Sequence, residues 1–91
     1  MNYYFKPSFA RSFKKMDPLK QRQVFEAIEA LKTILEEKQR LEGLGLKQLS
    51  KKIWEIRSTL KDRILFTFKK DTITFILVGN HDDVVKFLKS I

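Results

Sequence analysis

No cysteine occurs in these 91 residues. Neither a disulfide framework nor a thiolate metal site can therefore hold the fold, and packing of the eight Phe, Trp54 and the aliphatic side chains must do so. A single histidine, His81, excludes a histidine metal cluster and a histidine pair, and no Ser-His-Asp or Cys-His arrangement is indicated. No apolar run approaches the roughly 20 residues that span a bilayer, and MNYYFKPSF at the N-terminus has no basic region leading into such a run. A cytoplasmic protein with no membrane partner is the expectation. Proline and glycine are scarce too. Pro7, Pro18, Gly43, Gly45 and Gly79 are all there are, and each reads as punctuation between elements. The Gly43 to Gly45 stretch lacks the Gly-Lys-Ser/Thr ending of a phosphate loop. Internal repeats and low-complexity tracts are absent.

Positive charge is what the chain has in abundance. Nineteen Lys and Arg against eleven Asp and Glu give a formal net charge of +8, which favours an anionic partner unless the basic surface serves only solubility. At 43% apolar content, residues 1–91 suffice for one domain with one modest core. The charge is unevenly spread: Lys47, Lys51, Lys52, Arg57, Lys61 and Arg63 fall together, with only Glu55 and Asp62 to oppose them.

Residues 2–6, NYYFK, are rich in β-formers and stop at Pro7, which predicts a first strand. Ser8 is placed to cap a short helix carrying Phe9, Phe13 and Met16 on one side. Asp17 before Pro18 marks a second helix start, and Val24, Phe25, Ile28, Leu31 and Leu35 then recur at helical spacing before the polar EEKQR. Gly43 and Gly45 end that helix, and GLGLKQLSKK reads as a loop. Strand character returns in IWEIR, RILFTFK and TITFILV, the last two joined through Lys70-Asp71 at hairpin length. Gly79 and Asn80 close the sheet. HDDVVKFLKSI then predicts a terminal helix with Val84, Phe87, Leu88 and Ile91 as its apolar side. The order is β, α, α, β, β, β, α. It implies an α+β fold in which a twisted antiparallel sheet carries a helical hairpin on one face and leaves the other available.

Alternation along the strands places Trp54, Ile56, Ile64, Phe66 and Phe68 towards the helices. Arg57 and Arg63 then project from the opposite face, beside the lysines of the preceding loop and close to Gly79-Asn80-His81. Such a cluster can hold several phosphates, Arg by bidentate contacts and Lys as a mobile point charge. Plainer readings stand beside this one. Lys51 and Lys52 can be solvated loop charge, Arg57 and Arg63 can pair with Glu55 and Asp62, and Trp54 reads as core before it reads as a base-stacking platform. His81 is either structural or a proton-transfer group. Asp82 and Asp83 can tune it or cap the last helix, whereas two carboxylates without a third ligand make a poor cation site.

Leucine and lysine followed by a Trp-x-Ile-Arg strand, a short connection into Arg-Ile-Leu-Phe, and an apolar strand ending in Gly-x-His-x-Asp resemble the RelE/ParE superfamily of toxins from toxin-antitoxin systems, over essentially the whole chain. The resemblance implies a RelE-like βααβββα fold. It also implies a toxin that enters the ribosomal A site and cuts the bound messenger RNA without a metal or other cofactor, the 2′-hydroxyl attacking the neighbouring phosphate. Under it, Arg63 contacts the scissile phosphate, Arg57 stabilises charge, His81 is general acid or base, and Asp62 falls near a carboxylate that is catalytic in a histidine-containing subgroup. Lys47, Lys51, Lys52 and Lys61 would anchor RNA and the ribosome, and a cognate antitoxin would cover the same face. Glu55 stands where some members carry lysine. Val84 and Val85 stand where a terminal aromatic is usual, leaving Phe87 as a substitute only if the last helix is displaced. Two other functions share the fold: a ParE-like inhibitor that contacts DNA gyrase, and a relative with weakened catalysis that retains antitoxin or ribosome binding.

Overall fold

The computed structural model describes residues 1–37 and 45–91, so the stop at Gly43 and the polar 38–40 lie outside the described residues. The elements are β1 (Asn2–Phe5), α1 (Pro7–Lys14), α2 (Pro18–Glu36), β2 (Lys47–Gln48), β3 (Ile53–Arg57), β4 (Arg63–Lys69), β5 (Thr72–Gly79) and α3 (His81–Lys89). They form one sheet in the order β1-β5-β4-β3-β2. Two details differ from the sequence reading. The segment read as a loop contributes β2, a two-residue edge strand antiparallel to β3, and β1 joins β5 in parallel. Parallel pairing needs a crossover, and here α1 and α2 carry the chain from one sheet edge to the other.

Helix α2 begins as its sequence demands: Pro18 occupies the first turn and the Asp17 carboxylate accepts the Lys20 N–H at 2.9 Å. Val24, Ala27, Ile28 and Leu31 form its buried stripe, while Phe25 is 61% exposed. Spacing explains the correction, because positions 24, 28 and 31 share a face that 27 completes and 25 leaves by about 100°. These residues and Phe9 of α1 pack on Ile56, Ile64, Phe66, Ile73, Phe75 and Val78 of the sheet. Tyr3, Phe13, Met16 and Trp54 close over that core.

Helix α1 starts at Pro7 and has no side-chain cap, so Ser8 does not play the role expected of it. The reason lies in β5. Strand β1 parts from β5 after Phe5, where the Lys6 N–H donates to the Phe75 carbonyl, and a bulge leaves Ile76 between the pairs Leu65–Leu77 and Phe66–Phe75. Beyond that point α1 takes the place of a neighbouring strand. The Ser8 hydroxyl donates to the Ile76 carbonyl at 2.6 Å, and the Val78 N–H donates to Ser12 Oγ at 3.1 Å.

The opposite face of the sheet is not bare, which corrects a further expectation. Helix α3 folds back over it, and Val84, Phe87 and Leu88 pack with Ile53, Leu65 and Ile76 in a second cluster. Phe87 is thus part of a core, and Ile91 at the end is 72% exposed. The part of this face left open is the end where Arg57 and Arg63 stand. Among the described residues no helix is long and apolar enough to cross a membrane. Ser12→Ala removes the acceptor of the Val78 N–H, so it is expected to lower unfolding free energy by about 1–2 kcal/mol, read from urea denaturation.

Candidate active site at the end of the sheet

Strand register assembles the site. Arg57 lies opposite Arg63, and Arg63 opposite Gly79, in one row across three strands, two residues before His81. Antiparallel partners point to the same face, so two cations stand side by side at a spacing that costs up to about 1 kcal/mol. Glu55, two residues before Arg57 and on its face, offsets this: its Oε2 is 3.5 Å from Arg63 Nε, and the residue is only 5% exposed. The pairing of Arg63 with Glu55 that the sequence left open is therefore present. Lys47 is the cross-strand partner of Glu55 and adds an exposed ammonium on the same side.

Arg63 retains unused capacity, since its Nη1 is buried without a hydrogen-bond partner. Arg63 borders a cleft of about 330 Å³ that Leu60, Lys61, Asn80, His81 and Asp82 also wall. Arg57 stands exposed at the neighbouring position, its stem over Gly45. Glycine is needed there twice over: φ is +66°, and an added methyl would come within 3.0 Å of Arg57 Cγ and Cδ.

His81 is exposed and opens α3, held by a reciprocal cap. The Asn80 side chain accepts the Asp83 N–H and the Asp83 carboxylate accepts the Asn80 N–H, both at 2.9 Å. The sequence offered Asp82 or Asp83 for this duty. The cap is Asn80, with Asp83 answering it three residues on and Asp82 left to wall the cleft. Asp83 also folds so closely over Gly79 that an added methyl would lie 2.6 Å from its Oδ2. The histidine backbone is thereby fixed relative to β5.

Other candidate residues lie elsewhere. Asp62 is 4% exposed, accepts the Thr59 hydroxyl at 3.1 Å and faces Lys20 Nζ at 3.9 Å. Among the described residues it pairs with no arginine, and it lies on the α2 side, outside the lining of the cleft of Arg63 and His81. Thr59 Oγ1 accepts the Lys61 and Asp62 N–H groups, so these residues shape the turn that presents Lys61 to the cleft. Lys51 and Lys52 precede β3 while Arg57 ends it, and the four residue steps from Ile53 to Arg57 span about 13 Å. The cations thus form two groups along the strand where the sequence suggested one cluster. Trp54 is partly buried against the core, beside an apolar cavity of about 220 Å³. Among the described residues no group of three or more His, Cys, Asp or Glu gathers as a metal site.

No protein-family profile matches the sequence, and no curated protein does. Solved structures do match. The chain is similar to a protein of the RelB-RelE antitoxin-toxin complex from Methanococcus jannaschii, with a TM-score of 0.71 at 17% identity over 92% of this chain and 96% of the other. The fold is the RelE-like toxin fold. The YoeB/ParE toxin from Agrobacterium tumefaciens has the same fold, with a TM-score of 0.69 at 17% identity over 89% of this chain and 99% of that one. So does the E. coli DinJ-YafQ complex, at 0.63 and 14% over 91% and 96%. The RelE-like architecture that the resemblance implies is the one found. At such identities the RelE-like fold fixes where elements lie, and the chemistry must be argued from this chain's own side chains.

The two arginines set a local conflict against the fold, and this is measurable. Arg57→Thr is expected to raise stability by about 0.5 kcal/mol by relieving the repulsion. Glu55→Ala should lower it by about 2–4 kcal/mol, leaving Arg63 largely buried without its counter-charge. Equilibrium urea denaturation reads both.

Proposed function

We propose that this chain is the toxin of a toxin-antitoxin pair, a metal-independent endoribonuclease that cuts messenger RNA in the ribosomal A site in the cytoplasm. The observation that carries the reading is that Arg63 and His81 wall one cleft, with Arg57 in register beside them. In-line cleavage of RNA draws on both proton transfer and cationic charge. The 2′-oxygen forms a bond to phosphorus, the bond from phosphorus to the 5′-oxygen breaks, one proton leaves the 2′-hydroxyl and another reaches the departing 5′-oxygen. The products are a 2′,3′-cyclic phosphate and a free 5′-hydroxyl. His81 serves one of the proton transfers as general acid or base, since its imidazole can both accept and donate a proton. Arg63 and Arg57 stabilise the charge that grows on the equatorial oxygens.

Lys61 borders the cleft, Lys47 stands opposite Glu55 on the edge strand, and both anchor RNA. Lys51 and Lys52, at the other end of β3, are assigned to ribosomal RNA. Asp62, turned towards Lys20, is given the turn to hold and no proton to move. A cognate antitoxin would neutralise the cationic end of the sheet with an acidic or amphipathic segment. The named neighbours RelE and YafQ occur in complexes with RelB and DinJ, which supports an antitoxin partner.

His81→Ala and Arg63→Ala are each expected to relieve growth arrest on expression without antitoxin and to lower cleavage about 100-fold or more, with circular dichroism unchanged. Mapping messenger RNA 5′ ends after induction reads the activity directly. Full toxicity of both folded variants would defeat the nuclease assignment, and intact messages with altered DNA topology would support gyrase inhibition in its place.

A further inference from the structure

A larger groove of about 570 Å³ lies across Asn80 from the cleft, between α1, the turn into α2, and α3. Arg11 of α1, Lys15 at its C-cap, Lys20 of α2 and Lys86 of α3 border it. Three carboxylates border it as well, but each is already engaged. Asp17 accepts the Lys20 N–H, Asp83 accepts the Asn80 N–H, and Asp62 accepts the Thr59 hydroxyl and faces Lys20 Nζ. Among the described residues no ion pair involves Arg11, Lys15 or Lys86, and all three are exposed. The groove's four cations, Arg11, Lys15, Lys20 and Lys86, outnumber its three carboxylates by one, and Lys20 faces Asp62, which leaves Arg11, Lys15 and Lys86 as exposed cations around it.

We propose that this groove holds the phosphodiester backbone of the RNA strand on one side of the scissile bond, through Arg11, Lys15 and Lys86. The inference rests on the RNA reading of the cleft and extends its substrate track. Asn80 borders both the cleft and the groove, so a strand whose reacting phosphate sits between Arg63 and His81 passes over the start of α3 directly into it. Among the described residues no aromatic side chain lines the groove. Without a stacking platform, contacts fall on phosphates, and binding there is independent of base sequence.

The test is fluorescence anisotropy of a short, labelled single-stranded RNA, 2′-O-methylated throughout to prevent cleavage, titrated at several salt concentrations. The pair Arg11→Gln/Lys86→Gln is compared with a pair of equal charge change at the distant β4–β5 hairpin, Lys69→Gln/Lys70→Gln. Each phosphate contact contributes about 0.7 to the slope of log affinity against log salt, so the groove pair is expected to lose about 1.4 in slope and at least tenfold in affinity. The hairpin pair should change by less than twofold. Equal losses in both pairs, or wild-type binding by the groove pair, overturn the groove while leaving the cleft standing. A groove pair that keeps RNA but loses poly-glutamate would reassign the groove to an acidic protein segment. Failure of the wild-type protein to bind RNA at all would defeat the RNA reading of the cleft and this extension with it.

Discussion

The register shared by three central strands decides where every charged group of the cleft stands. Ile56, Ile64 and Val78 face one another across β3, β4 and β5 on the helix side, and the next row, Arg57, Arg63 and Gly79, faces the other way. A slip of one residue would exchange the two rows, burying guanidinium groups under α2. Magnitudes show why this does not happen. Burying each aliphatic side chain is worth about 1.5–3 kcal/mol, and three of them outweigh an arginine repulsion of about 1 kcal/mol or less. The core thus enforces an electrostatic arrangement that the cations would not adopt by themselves. Local disagreement of that kind is where function is expected.

Around this row the chain adds restraints that act on position more than on bulk stability. Glu55 steadies Arg63 from within the sheet. Gly45 gives the stem of Arg57 a surface to lie on. The reciprocal cap of Asn80 and Asp83, pressed against Gly79, fixes the first turn of α3 and with it His81. On the far edge of β5, Ser8 and Ser12 satisfy backbone groups that a missing strand leaves over, so the strand leading into His81 is held on both sides.

What could be read from sequence was what is encoded locally. The Asp17-Pro18 helix start, the alternation in IWEIR and RILFTFK and the Lys70-Asp71 hairpin depend on neighbours a few residues apart, and the structure has all of them. What could not be read depends on partners distant in the chain. Ser8 looks like a helix cap until Ile76 is placed beside it, and Ser12 carries no local signal of its bond to Val78. Asp62 looks like a partner for an arginine until α2 brings Lys20 to it. The apolar stripe of α3 is evident in the sequence, but its seat over Ile53 and Leu65 depends on strands distant in the chain, so local pattern alone leaves the second sheet face open. Separation of Lys51 and Lys52 from Arg57 follows from strand rise alone and was available from counting. Likewise the placement of Arg63 and His81 on one cleft follows from strand order plus a two-residue step beyond Gly79.

A single anion site shared by Arg63 and His81 is the central claim, and nuclear magnetic resonance tests it without relying on activity. During titration with a 2′-O-methylated RNA, the His81 imidazole and the Arg63 guanidinium N–H signals should shift together along one binding isotherm. Two different isotherms, or a response at one residue with none at the other, would contradict it.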